Sequence, residues 1–327
     1  MSAPSVADGC VSAVICTHSA KRLPMLARAI ASLRAQTLPL SRIVLVVDGD
    51  EELAELARRE VGSDVTVICQ AERRGLSAAR NRGAAQVTSE IVVFLDDDAV
   101  ADHRWVERLA APFSDPRILG CSGMSRPEWE GGAKPAWMPE EFLWVVGCTY
   151  RGAPEPSAYV RNVIGGCAAL RRSTFEAVGG YDVSLGYSPS NKGGGEEAEL
   201  GLRMLAQVPN GRFAYEPEAF IWHHVPRDRA RLPYFVRRCY AEGKAKQRVS
   251  RRHGRSALAP ERAFAWGLPR AASASIRECL RGRPAALASN LGIFFGAVAT
   301  GLGMLAGMVT AGLAGGRRRS AARGCGA

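Results

Sequence analysis

The chain has little organised cysteine. Its nine cysteines form no C-x-x-C pair and no zinc-type spacing. That excludes a structural zinc module and fits reduced, buried thiols in a cytosolic body. Met1 to Gly9 lacks both a basic n-region and an apolar h-region, so no secretory signal is expected there. Gly301-x-Gly303-x-x-x-Gly307 lacks the strand and the spacing of a dinucleotide fingerprint. The loop Thr17-His18-Ser19-Ala20-Lys21-Arg22 contains no glycine. That disfavours a nucleotidyltransferase, in which a glycine-rich basic loop follows the first strand. The longest absence is of charge: Ala285 to Gly316 has none over 32 residues.

The charge that is present is unevenly placed. Residues 1–219 carry 23 Lys/Arg and 28 Asp/Glu, a net of −5; residues 220–283 carry 16 and 4, a net of +12; residues 284–327 carry four Arg and no acid. An acidic body with a basic neck needs an anionic partner, and lipid headgroups and nucleic acid are the two general candidates. Between Arg227 and Arg248 basic and aromatic residues alternate, among them Arg229, Tyr234, Phe235, Arg238, Tyr240, Lys244 and Lys246. As a helix this is a membrane-surface pattern, though a solvated charged helix has the same composition. The uncharged stretch suits one bilayer span or a re-entrant helix better than a buried soluble helix, and it is too short for two comfortable spans. Its Gly292/Gly296 and Gly303/Gly307 pairs suit close helix contact and allow helix-mediated association.

The body alternates strands with helices. Val11–Cys16, Ile43–Val47, Val65–Cys69 and Ile91–Leu95 read as strands, with helical faces between them at Leu23–Leu33, Glu51–Glu60 and Gly75–Gly83. This is a βα repeat with a mostly parallel sheet. A strand is expected within Arg161–Leu170 and a loop-rich lid over Pro127–Pro156. Ile91-Val92-Val93-Phe94-Leu95 runs straight into Asp96-Asp97-Asp98. Three adjacent acids repel one another unless a cation lies among them. A divalent ion held by one or two carboxylates and substrate phosphates is one occupant, and a solvated acidic turn is the plain alternative.

Five segments in order resemble glycosyltransferase family 2: Val14-Ile15-Cys16-Thr17-His18, Val46-Val47-Asp48-Gly49, Gly75 to Gly83, Phe94 to Asp98, and Gly195-Glu196-Glu197-Ala198-Glu199-Leu200. The resemblance covers roughly residues 10–225. It implies an α/β GT-A (nucleotide-diphospho-sugar transferase) fold with a C-terminal helical membrane-associated segment. The implied divisions are a tail over 1–10, a catalytic domain over 11–225 and a basic membrane-surface segment over 226–284. A transmembrane or re-entrant helix over 285–316 and a basic tail over 317–327 complete them.

The resemblance also implies roles. Thr17, Asp48, Arg80, Asp96 and Asp97 would contact the donor nucleotide. Asp98 and Asp96 would hold Mg²⁺ or Mn²⁺, with His223 or His224 as a further ligand. Glu197, or its neighbour Glu196, would take the proton from the attacking hydroxyl and give inversion. Glutamate stands at 197 where the family usually has aspartate. Later segments, such as Trp222-His223-His224-Val225-Pro226-Arg227, are similar to prokaryotic polyprenyl- or dolichyl-linked sugar transferases.

The expected enzyme is an inverting hexosyltransferase of polysaccharide biosynthesis. It would move sugar from a UDP-sugar to a lipid-linked or glycan acceptor, without nucleic acid. It would act at an anionic inner-membrane surface with its catalytic domain in the cytoplasm, and the heavier positive charge before residue 285 agrees with that side. A catalytically inactive sugar-nucleotide-binding scaffold is the competing reading.

Overall fold

The computed structural model describes residues 10–153, 158–189, 193–282 and 284–324. The tail expected over 1–10 lies outside them except for Cys10, as does the end of the basic tail, 325–327.

The first half follows the alternating pattern: β1 (Val11–Thr17), α1 (Leu23–Arg34), β2 (Arg42–Asp48), α2 (Glu51–Val61), β3 (Val65–Gln70), α3 (Leu76–Ala84) and β4 (Ile91–Asp96). The strands lie parallel in the order β3-β2-β1-β4. Thr17 pairs with Val47, Asp48 with Gln70 and Cys16 with Asp96. This register brings Thr17, Asp48 and Asp96 to one edge of the sheet.

Alternation along each strand fills two layers. Ile15, Leu45 and Val93 face Leu26, Ile30 and Trp105 on one side. Val14, Val44, Val92 and Phe94 face Ala79, Phe175 and Tyr181 on the other. Local signals agree with the helices. Asp50 caps α2 by accepting a hydrogen bond from the Leu53 amide at 2.9 Å, and acids open that helix while arginines close it.

Beyond β4 the sheet becomes mixed. β5 (Ala99–Ala101), α4 (Trp105–Ala110), β6 (Ile118–Trp129), β7 (Tyr159–Val160), β8 (Cys167–Arg171), α5 (Arg172–Ala177), α6 (Glu196–Gln207) and β9 (Arg212–Val225) follow. β8 is antiparallel to β4 and β6, β6 is parallel to β9, and β5 and β7 are antiparallel to β9. The parallel run of the sequence reading is therefore confined to the first four strands, with one further parallel pair.

The start of the expected loop-rich segment, Pro127 to Trp129, is the end of β6. Apolar periodicity missed this strand because Gly120 and Gly123 interrupt it. A Cβ at Gly123 would lie 2.0 Å from the Ala219 carbonyl oxygen, so crowding by β9 demands the glycine.

Three helices complete the chain: α7 (Leu232–His253), α8 (Ala259–Leu280) and α9 (Ala288–Gly324). Among the described residues one helix, within Ala288–Thr310, is long and apolar enough to cross a bilayer by length and composition. The glycine pairs of α9 meet partners inside the chain. A Cβ at Gly303 would lie 2.1 Å from the Tyr240 carbonyl oxygen, and one at Gly243 of α7 would lie 2.1 Å from that of Thr300. Gly292 abuts the Trp137 carbonyl and Gly296 the Phe142 ring. Leu291, Phe294, Phe295, Val298, Leu302 and Leu305 remain exposed on α9.

Gly303→Leu is therefore expected to lower stability by about 1–3 kcal/mol through overpacking against backbone. A Cβ at Gly301 meets nothing within 4 Å, so Gly301→Ala is expected to be neutral or stabilising by roughly 0.5–1 kcal/mol. Thermal unfolding of the detergent-solubilised variants checks both.

Candidate active site

A cleft of about 1250 Å³ opens at the carboxyl ends of β1, β2 and β4 and extends to α7, α8 and α9. Its oldest landmark in the chain is Asp48. This carboxylate accepts hydrogen bonds from Gln70 Nε2 at 2.9 Å and from the amides of Arg74 and Gly75, each at 2.8 Å. It thus fixes the turn at Gly75, whose φ of +93° opens α3. Three of about four lone-pair sites are engaged, leaving one toward the cleft.

α3 delivers Arg80 to the same edge. The guanidinium is buried, donates to Asp96 Oδ1 at 3.0 Å and lies 3.9 Å from Glu197 Oε1. Its Nη1 is buried without a hydrogen-bond partner. Gly165 and Gly166 make room for this group. A Cβ at Gly165 would lie 2.3 Å from Arg80 Nη1, and one at Gly166 would lie 2.1 Å from Asp96 Oδ2. The small residues read from the sequence as a place of close approach are approached by these two side chains.

The three consecutive acids diverge. Asp97 is buried and bonded to Arg22, with Thr17 beside it. Burial pushes its carboxyl up to about 6 against the pull of Arg22, with Asp98 adding to the rise. Asp98 is also buried, with Arg22 Nη2 at 3.1 Å, His223 Nδ1 at 3.4 Å and Arg229 Nη2 at 3.6 Å. Burial raises it, but His223, Arg22 and Arg229 outweigh burial and hold it below the usual carboxylate range.

His223 comes from β9, which pairs with β5 so that His223 lies opposite Ala99. Burial holds its imidazole neutral, opposed by Asp98 and aided by Arg229. Arg229 Nη1 lies 3.2 Å from His223 Nε2. An arginine only donates, so Nε2 accepts and Nδ1 carries the proton toward Asp98. His224 points to the opposite face of the strand, with its Nδ1 3.9 Å from Glu128. The period-2 alternation of β9 thus separates the two histidines, and His224 takes no part in the acid cluster.

Asp96, Asp98 and His223 each offer one ligand atom, all within 4.8 Å of one another. Two hard carboxylate oxygens and a neutral imidazole fit Mg²⁺ or Mn²⁺, and the bare Gly166 is what lets Asp96 join them. An ion on His223 would displace either its proton or Arg229.

The glutamate pair opens α6 behind Gly195, whose φ is +100°. Glu196 is buried, and its Oε2 has no hydrogen-bond partner. Burial pushes its carboxyl up to about 8, with Glu197 adding and Arg80 opposing. Glu197 is partly exposed and faces the cleft opposite Arg80 and Gly165. Glu199 turns away to Arg203 at 2.8 Å.

Sequence reasoning gave Arg22 no role and read Arg229 as part of a membrane-surface pattern, whereas its guanidinium reaches Asp98. It also missed the cleft-wall network of Arg161, Arg238, Glu242, Lys246 and Glu261. The i,i+4 spacing of Arg238, Glu242 and Lys246 on one helix was the available signal.

A family model described as glycosyl transferase family 2 matches residues 12–179, just over half of the chain. The glucosyl-dolichyl phosphate glucuronosyltransferase of Haloferax volcanii is 34% identical over 240 residues, covering 72% of this chain and 76% of the relative. The succinoglycan biosynthesis protein ExoM of Rhizobium meliloti is 28% identical over 243 residues, covering 72% and 73%. The mannosyltransferase PcManGT of Pyrobaculum calidifontis, solved with GDP-Man and Mn²⁺, has a similar fold. It aligns with a TM-score of 0.59 at 17% identity over 91% of this chain and 88% of its own. GalNAc-T7, solved with UDP, GalNAc and Mn²⁺, aligns with a TM-score of 0.52 at 22% identity over 74% and 47%. These likenesses agree with the GT-A architecture read from the motifs. By the family model and by the Haloferax relative, the chain belongs to glycosyl transferase family 2 and is a glycosyltransferase.

Proposed function

We propose that this enzyme transfers a sugar from a UDP-sugar to a lipid-linked sugar acceptor, with inversion at the anomeric carbon and Glu197 as general base. One observation carries the reading: Glu197 opens into the cleft across from Arg80 and Asp96, while its neighbour Glu196 is buried, which pushes its carboxyl up to about 8. Two adjacent carboxyls in unlike surroundings take unlike roles. The Haloferax relative's name, which couples a sugar to dolichyl phosphate, supports the acceptor class.

A Mg²⁺ or Mn²⁺ ion held by Asp96, Asp98 and His223 would neutralise charge on the diphosphate leaving group. The chain's own residues do the rest. Asp48 and Thr17 line the base end of the donor site, and Asp97, bonded to Arg22, braces it from below. Arg80 orients Asp96 and Glu197 together, through a hydrogen bond to Asp96 and an ion pair from Nη1 to Glu197 at 3.9 Å. Glu197 accepts the proton of the attacking hydroxyl. The exposed apolar face of α9 rests in lipid, with the basic helices beside it at an anionic surface. Nucleotide sugars are cytosolic, so the catalytic domain faces the cytoplasm at the inner membrane.

The test is sugar transfer by detergent-solubilised protein, screening UDP-, GDP- and dTDP-sugars with Mn²⁺ or Mg²⁺ and a polyprenyl-linked sugar. Metal-dependent turnover of a UDP-sugar is expected, abolished by EDTA and by Asp98→Ala. Glu197→Gln is expected to lower kcat by about 10²–10⁴-fold, and NMR of the product to show the inverted anomer. Activity surviving Glu197→Gln would move the base to Glu196. No donor binding under any condition would favour the inactive scaffold.

Glu196 carries a separate pH signature. Between its ordinary value of 4.5 and about 8 the folded chain keeps a proton that the unfolded chain has lost. Its contribution to stability therefore falls as pH rises through that window. Glu196→Gln is expected to raise the melting temperature by more at pH 8 than at pH 5, while retaining most of the activity that Glu197→Gln loses. A pH-independent difference would contradict the buried, protonated state.

A further inference from the structure

The cleft wall beyond Glu197 holds a charge excess that the transfer chemistry does not use. Arg161 donates to both carboxylate oxygens of Glu261, at 2.8 and 2.9 Å. Lys246 bridges Glu261 at 2.9 Å and Glu242 at 3.1 Å, and Arg238 donates to Glu242 at 2.9 Å. All five side chains line the cleft and none is more than 24% exposed. Three cations thus face two carboxylates in direct contact, with Glu196 near Arg238 and Arg248 near Glu242 as the next charges out. A mostly buried network with one surplus positive charge is costly unless an anion completes it.

The network lies between two unlike surroundings. A Cβ at Gly194, three residues before Glu197, would lie 3.2 Å from Glu242 Oε2 and 3.5 Å from Arg238 Nη2. On the other side, α8 presents Glu261, Phe264 and Leu268 to the cleft, spaced three and four residues apart along one helical face. Phe264 packs against Phe142 and Tyr150, each with ring centroids 5.5 Å apart. Ala297 and Met304 of α9 also line the cleft. The order along the wall is base, surplus cation, apolar surface.

We propose that this wall is the phosphate subsite for the acceptor. Arg161, Lys246 and Arg238 bind the phosphate of a sugar-phospho-lipid, and the hydrocarbon leaves along Phe264 and Leu268 toward α9. The inference rests on the lipid-linked acceptor of the proposed function and specifies where and by which groups that acceptor is held. Base, cation and apolar surface match sugar, phosphate and hydrocarbon in sequence.

Lys246→Met is the informative variant. It removes the surplus charge yet leaves Glu261 paired with Arg161 and Glu242 with Arg238. Calorimetric binding would be measured on the full solubilised chain with farnesyl phosphate, farnesol and inorganic phosphate. Farnesyl phosphate is expected to bind about tenfold or more tighter than farnesol, as a charge-assisted contact requires. Lys246→Met is expected to erase that preference while keeping the wild-type melting temperature, and Lys246→Arg to keep it. Equal binding of farnesol and farnesyl phosphate by the wild type would overturn the proposal. So would a preference that persists in Lys246→Met, or inorganic phosphate competing as well as the lipid. These readouts do not depend on turnover. Failed sugar transfer beside an intact farnesyl phosphate preference would sink the transferase reading alone.

Discussion

Three carboxylates in a row at the end of β4 are tolerable because three arginines reach them from separate parts of the chain. Arg22 comes from the turn after β1, Arg80 from α3 and Arg229 from the segment after β9. Burial alone would drive such acids toward neutrality. His223, Arg22 and Arg229 together hold Asp98 below the usual carboxylate range, while Asp97, the most enclosed, is raised to about 6. The balance also works as a folding constraint. It ties the first β-α connection, the central strand and the end of the last strand to one point. The cleft therefore exists only when both halves of the sheet are in place.

Much of this was legible in the sequence, for a physical reason. Strands β1, β2 and β4 are buried on both faces, so they read as apolar runs, and each ends in a polar residue that lines the cleft. Of the helices between them, α1 and α2 each bury one apolar face and α2 has a side-chain cap in Asp50. The resemblance to glycosyltransferase family 2, carried by the ends of those strands and by Gly75 to Gly83, is what implied a shared site for Thr17, Asp48, Arg80 and Asp96 before any coordinates. The cation expected among the acids was read as a metal ion. The structure shows that arginine side chains already supply much of that charge, and that a metal group of Asp96, Asp98 and His223 can coexist with them. Which histidine belonged could not be read from the adjacent pair. It was decided by which face of β9 each residue takes, and β9 is fixed by long-range pairing with β5 and β6.

The second half was less legible because its strands are written in small residues. β6 and the segment before β8 carry glycine where another backbone or a charged side chain comes within contact distance. Such positions erase the apolar period that marks a strand. Gly165 and Gly166, just before β8, were legible as a place of close approach, and a side chain at either would displace Arg80 or Asp96. The same substitution of close approach for hydrophobic pattern recurs in α9. Its glycines read as a surface for a second helix, and they are used against α7 and the segment around Phe142 of the same chain.

That seating has a mechanical meaning. Gly303 rests on the Tyr240 carbonyl and Gly243 on that of Thr300, so backbone meets backbone with no flexible side chain to absorb a displacement. A side chain added at either glycine would push the helix with the exposed apolar face away from the helix that carries Glu242 and Lys246. The accuracy of the cleft wall therefore depends on a backbone contact made well outside the acid cluster.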